Sequence, residues 1–207
     1  MCGASCRATF AELNTDEFKN RRAEHLDEKQ PNCRCQQRSV SEFSTGPVEN
    51  HEKLIRLLIA PQHHGKNGQP KASALTDAER NGLSVFRDAQ VTDELILCVA
   101  SGLVTRARER QSDPDKKAEV GVFGVLRMNC STIREFIRNS ELRSCYCVYD
   151  TAQTDIPSHA ETFQCVAFVE EKVREDRRRQ LFAIVRSTFV SVADFRNGLL
   201  RDLAPKG

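Results

Sequence analysis

The chain is predicted to be an α+β protein, with a mixed or antiparallel sheet, packed helices and an N-terminal helical, cysteine-bearing appendage. Three observations predict it. The runs EVGVFGVLRM (Glu119 to Met128) and SCYCVYD (Ser144 to Asp150) are rich in valine, phenylalanine and tyrosine, long enough to cross a sheet and short for a helix. Other strand-like and helical stretches are interspersed without a regular βαβ period, which disfavours a doubly wound fold. Residues 1–45 differ in composition from the core at 46–207 and are read as an appendage.

In chain order, Thr9 to Lys29 is rich in Glu, Lys, Arg and Ala. Phe10, Leu13, Phe18 and Leu26 give it a sparse apolar stripe, so one docked helix is expected. Pro31 and Asn32 stop it. A polar, Ser-rich linker is placed at Ser39 to Asn50. Leu54 to Ala60 (LIRLLIA) reads as a strand or a short helix ended by Pro61, and QHHGKNGQPKAS follows as a loop. Leu83 to Arg87 is a short strand. Thr92 caps a helix that runs to about Arg110, with Asp93 and Glu94 in its first turn and arginines in its last. Val91, Leu95, Val99 and Leu103 share one face of it, with Ile96 alongside. After the 119–128 strand, Ser131 caps the short helix STIREFIRN. Strands are expected at 144–150 and at Phe163 to Val169, with the loop TAQTDIPSHA between them. A charged helix from Glu170 to about Arg186 and a last strand in FVSVADF complete the chain.

Bulk properties exclude some functions. A net charge of +2, no Trp and two Tyr give neither the basic footprint nor the stacking residues of a nucleic-acid binder. No apolar run approaches the ~20 residues that cross a bilayer. The N-terminus has no basic region followed by an apolar core, so a cytoplasmic protein is expected. Neither GxGxxG nor a phosphate-binding GxxxxGKS/T loop is present. Nine cysteines, odd in number and irregular in spacing, do not read as a disulfide framework.

Seven of the nine cysteines form two groups. Cys2, Cys6, Cys33 and Cys35 read C-x3-C and C-x-C, and four thiolates would suit one tetrahedral zinc. The alternative, and the reading preferred, is four unligated thiols on a tail, with no cofactor. Cys145, Cys147 and Cys165 lie on strand candidates and are taken as packing residues, since free cysteine behaves as a small apolar side chain.

Four further residues are candidates for chemistry: Arg56, Ser84, Arg87 and His159. Arg56 interrupts an apolar run, so it is either paired, solvent-facing, or aimed at an anionic ligand in a cleft. His159 follows a proline beside a strand, where scaffold-held loops carry functional groups. His63 and His64, adjacent in a loop, read as solvated. If a site exists, the four candidates should converge on one side of the sheet. Taken in order, Arg56, GLSVFR (Gly82 to Arg87), the helix from Thr92, VGVFGV and PSHA (Pro157 to Ala160) resemble small bacterial proteins of uncharacterised function over about residues 46–190. The resemblance implies a bacterial cytosolic origin and a self-contained core with an added N-terminal segment. It implies no activity.

The leading expectation is an accessory protein with a protein partner, because the thin stripe of the appendage needs a surface to cover it. The alternative is a small ADP-ribosyltransferase-like or other nucleotide-binding enzyme. There Arg56 would hold phosphates, Ser84 would orient a ribose, and an acidic residue further on, not identifiable from sequence, would complete the site. A zinc-stabilised nucleic-acid-associated protein is the third reading.

Overall fold

The computed structural model describes residues 2–31, 33–138, 141–166 and 169–206, with side chains from Cys6 onward. Its centre is one six-stranded sheet in the order β4-β5-β2-β1-β3-β6. The strands are β1 (Lys53–Ala60), β2 (Leu83–Arg87), β3 (Gly121–Asn129), β4 (Tyr146–Tyr149), β5 (His159–Gln164) and β6 (Phe189–Ser191). Every neighbouring pair is antiparallel. The helices are α1 (Cys2–Leu13), α2 (Arg22–Lys29), α3 (Asp93–Arg110), α4 (Pro114–Lys117), α5 (Cys130–Arg134) and α6 (Glu171–Val185). The fold is therefore α+β. Among the described residues, no helix is long and apolar enough to cross a membrane.

Both faces of the sheet are covered. On one, Leu54, Leu58, Val85, Leu126 and Val148 pack against Leu75, Ile133, Leu181 and Val185. On the other, Ile55, Leu57 and Phe86 meet Ile96, Ala100 and Val104 of α3. This double burial explains why LIRLLIA shows no alternation of polarity: a strand covered on both sides is apolar throughout.

The same face as α3 also receives the N-terminal segment. Cross-strand partners point to one side of a sheet, and so do residues two apart on a strand. Phe86 pairs with Ile55, Ser84 with Glu161, and Glu161 with Tyr149; Phe163 pairs with Cys147. All of these side chains therefore lie on the α3 side. Over the β4–β5 end, Phe10, Leu13, Ala23 and Leu26 cover Cys147, Tyr149 and Phe163. Phe10 lies 5.0 Å from Tyr149, ring centre to ring centre. Two coverings thus sit side by side, α3 over β1 and β3, α1 and α2 over β4 and β5, with a seam between them above β2.

Several elements differ from the sequence reading for identifiable reasons. The single N-terminal helix is two, α1 and α2, separated by a turn in which Asn20 takes φ 73°. The buried stripe of α3 is Ile96, Ala100 and Val104, while Leu95, Val99 and Leu103 are only partly buried. The Thr92 cap forms as expected, its hydroxyl accepting from the Leu95 N–H at 3.3 Å. The short helix α5 begins at Cys130, so Ser131 lies inside it. The strand expected at Phe163 to Val169 instead runs from His159, held by pairing with β2 on one side and β4 on the other. Asn32, Asn139, Ala167 and Phe168, which bear on the expected element boundaries, lie outside the described residues.

Candidate functional site

The seam contains a cleft of about 370 Å³ lined by residues from β1, β2, β5 and α3. At its base β1 and β2 share a short ladder, Leu54↔Arg87 and Ile55↔Phe86, whereas β1 pairs with β3 along its whole length. Past that ladder, the Arg56 guanidinium donates across to the Ser84 carbonyl at 3.2 Å and to Asp77 at 2.8 Å. Its Nε is buried and has no hydrogen-bond partner among the described residues. Burial works against the Arg56 charge, and Asp77 acts to retain it.

His63 sits in the same cleft and is 3% exposed. Its Nδ1 accepts the Ile59 N–H at 3.1 Å, which leaves the proton of the neutral ring on Nε2. Burial pushes its pKa down to about 3, with the charges of Arg56 and Lys71 adding to the effect. The ring is therefore neutral at ordinary pH, and its Nε2–H is a second buried donor without a partner. Two such donors in one cleft favour an acceptor-rich ligand, because an unmade buried hydrogen bond costs about 1–3 kcal/mol.

Next to them stands a serine–histidine pair. His159 Nε2 lies 3.1 Å from Ser84 Oγ. Its Nδ1 lies 3.1 Å from the Thr151 carbonyl and 3.0 Å from the Thr151 hydroxyl. A carbonyl only accepts, so donation to it keeps the proton on Nδ1 and turns the lone pair of Nε2 toward the serine. That tautomer can take a proton from the Ser84 hydroxyl. Val99 and Leu103 give α3 an apolar wall over the cleft, and Arg106 and Arg110, one turn apart, bring positive charge to it.

A neighbouring cavity of about 500 Å³ is lined by Glu161 and Arg22, and Gln153 lines both spaces. Glu161 is the direct cross-strand partner of Ser84. Arg22 of α2 holds its carboxylate with two bonds, of 2.8 and 3.0 Å.

Arg56, Ser84 and His159 line this one cleft, although Arg56 leaves β1 in phase with Leu54 and Leu58 and reaches the cleft past the end of the β1–β2 ladder, and Arg87 does not line it. Positions 84 and 87 are an odd number of residues apart on β2, so their side chains leave opposite faces. Arg87 is bound to Glu52 at 2.6 and 2.7 Å and to the Gly46 carbonyl at 2.7 Å. It anchors the segment before β1. Sequence reasoning missed two residues, Glu161 and His63. The first lay in a stretch read as the approach to a strand, although the period-two spacing His159-x-Glu161 was a signal. The second was dismissed as solvated.

Beside Arg87, Asp150 is fully buried, 4.0 Å from the guanidinium, and accepts from the Ser44 hydroxyl. Burial raises its carboxyl to about 6, against the pull of Arg87. A raised folded-state pKa favours the fold below the ordinary value of 3.8 and loses that contribution as pH rises through 6. Asp150→Asn is therefore expected to flatten the pH dependence of unfolding between pH 4 and 7. Urea titrations across that range check it, and an unchanged slope would refute the assignment.

The cysteines regroup. Cys6 and Cys35 are joined by a disulfide, and so are Cys33 and Cys147. The side chain of Cys2 lies outside the described residues. Cys6, Cys33 and Cys35 do not form one ligand set: Cys33 lies instead with Cys147 and Cys165. Cys147 is therefore not simply a packing residue. Cys145, on the other side of the sheet, is buried and donates its thiol to Glu141 at 2.9 Å. The buried triad Cys33, Cys147 and Cys165 could hold a metal ion. Burial pushes the Cys165 thiol up to about 12, so it stays protonated and is a poor nucleophile toward the adjoining disulfide.

Comparison with protein-family models, with curated proteins and with solved structures finds no match for the chain.

Proposed function

We propose that the protein is a nucleotide-binding enzyme with an ADP-ribosyltransferase-like site. The observation that carries this reading is the pair of unpartnered buried donors, Arg56 Nε and His63 Nε2, lining one cleft with Ser84 and His159. Arg56 stands on β1, Ser84 on the neighbouring β2, and Glu161 on β5 directly across from Ser84. In this reading the Arg56 guanidinium and the His63 N–H receive phosphate oxygens, with Arg106 and Arg110 adding charge. Ser84 orients a ribose hydroxyl, the apolar wall of α3 takes the base, and Glu161 is the acidic group.

The competing role as a protein-interaction module rested on an uncovered apolar stripe. Of that stripe, Phe10, Leu13 and Leu26 are buried against the chain's own sheet, while Phe18 is half-buried and stacks on His25 of α2, so the motive for a partner is weakened.

Calorimetry with NAD, ADP-ribose, ADP and adenosine tests the proposal. The phosphate-bearing ligands are expected to bind and adenosine to bind at least tenfold more weakly. Arg56→Met should weaken the former by at least tenfold, about 1.4 kcal/mol, and leave adenosine unaffected. Labelled NAD should yield transferred label in the wild type and much less in Ser84→Ala. No binding by any phosphate-bearing ligand, or equal binding by the Arg56 variant, would remove the reading.

A further inference from the structure

We propose that Cys33, Cys147 and Cys165 form a zinc site when all three are thiols, and that this ion joins the N-terminal segment to the sheet. The three sulfurs lie within 4.8 Å of one another and all are buried. Zinc holds thiolates at about 2.3 Å, so two sulfurs on a tetrahedron around it stand about 3.8 Å apart. Cys165 Sγ lies 3.7 Å from Cys33 Sγ and 3.6 Å from Cys147 Sγ. Two of the three edges therefore already have the tetrahedral length. The third, between Cys33 and Cys147, is the one drawn together by the disulfide.

The three ligands come from separate parts of the fold. Cys147 is on β4, Cys165 follows β5, and Cys33 comes from the N-terminal segment. Cys33 takes φ 51°, the left-handed region that a residue with a Cβ seldom adopts, and a bond through its side chain offsets that cost. Beside Cys147 and Cys165 is a cavity of about 10 Å³ that Asp27 of α2 also lines. It is the size of about one water. A buried carboxylate there can complete the four-coordinate set, directly or through that water.

The chemistry balances in two steps. An external thiol or phosphine reductant supplies two electrons to the Cys33–Cys147 bond, and two protons convert both sulfurs to thiols. Zn2+ then forms three Zn–S bonds as three thiols release three protons, leaving a net charge of −1 on the metal and sulfurs. Disulfide and zinc are alternative fastenings at one place.

The test uses the full chain, reduced anaerobically with a phosphine, exposed to Zn2+ and desalted. Metal is counted by elemental analysis, and Co2+ serves as an optical probe of thiolate ligation. About one zinc per chain is expected, with an intense thiolate-to-cobalt band. Cys165→Ser should lose both. Its folding can be verified independently under oxidising conditions, where the Cys33–Cys147 bond does not need Cys165. Cys35→Ser and Cys98→Ser should keep the metal, since neither contributes a ligand. The oxidised wild type should bind none, because two ligands are bonded to each other. Absence of zinc from the reduced protein, retention by Cys165→Ser, or loss from Cys35→Ser would each overturn the proposal.

Discussion

In oxidising buffer, Cys33→Ala is expected to lower the unfolding free energy by about 3–5 kcal/mol. The Cys33–Cys147 bond spans 114 residues, and cross-linking so long a loop removes much of the freedom of the unfolded chain. The Cys6–Cys35 bond spans only 29 residues. In the chain-entropy picture its removal should cost about 1 kcal/mol less. Urea denaturation without reductant, followed by far-ultraviolet dichroism and by exposure of Tyr149, measures both. If Cys6→Ala proves the more damaging, the long bond is not what fastens the segment.

The second large effect is at Arg22. Arg22→Met leaves the Glu161 carboxylate buried under α2 without its bidentate partner. Stranding a buried charge in this way is expected to cost about 3–5 kcal/mol. Adding Glu161→Gln to that variant should recover most of the loss, because an amide does not need a countercharge. A double-mutant cycle reads the coupling directly. Near-additive single effects would mean that the pair is solvated and does not hold α2 on the sheet. The cycle also bears on the proposed site, since Arg22 occupies the carboxylate that stands across from Ser84.

What the sequence made legible was local. Thr92 followed by two acidic residues marks the start of α3, and GVFGVLRM is β-prone enough to mark β3 without context. Arg56, Ser84 and His159 were visible because each is a polar group in a strand-forming stretch. What stayed hidden depends on pairing between distant residues. β5 reads His-Ala-Glu-Thr-Phe-Gln and is buried throughout. Three of its polar side chains are tolerated because distant groups meet them, His159 by Ser84, Glu161 by Arg22 and the Gln164 amide by Tyr146 and the Arg174 carbonyl, which no local pattern discloses. Arg87 was misplaced although the strand reading itself separates it from Ser84, since side chains three residues apart on one strand leave opposite faces. The meeting of Cys33 with Cys147 and Cys165 follows from docking the N-terminal helices on the sheet, and spacing along the chain carries no trace of it.

The position of residues 34–39 alongside β4 has a further consequence. A sheet ends in strands whose outward N–H and C=O groups can template the strand of another chain, the usual start of aggregation. β4 is such an edge, and its outward groups are occupied. Gln36 Oε1 accepts the Val148 N–H at 3.3 Å, and the Arg134 guanidinium donates to the Val148 carbonyl at 2.9 Å. The Tyr146 N–H and carbonyl both meet the Ser144 hydroxyl, at 3.4 and 3.0 Å. Ser39 bridges to Asp150 just beyond. At the opposite edge, β6 is only three residues long and offers little to copy. The N-terminal segment is therefore also a stopper against intermolecular strand addition. Freeing it from Cys147 would uncover the Val148 N–H and open that edge to a second chain.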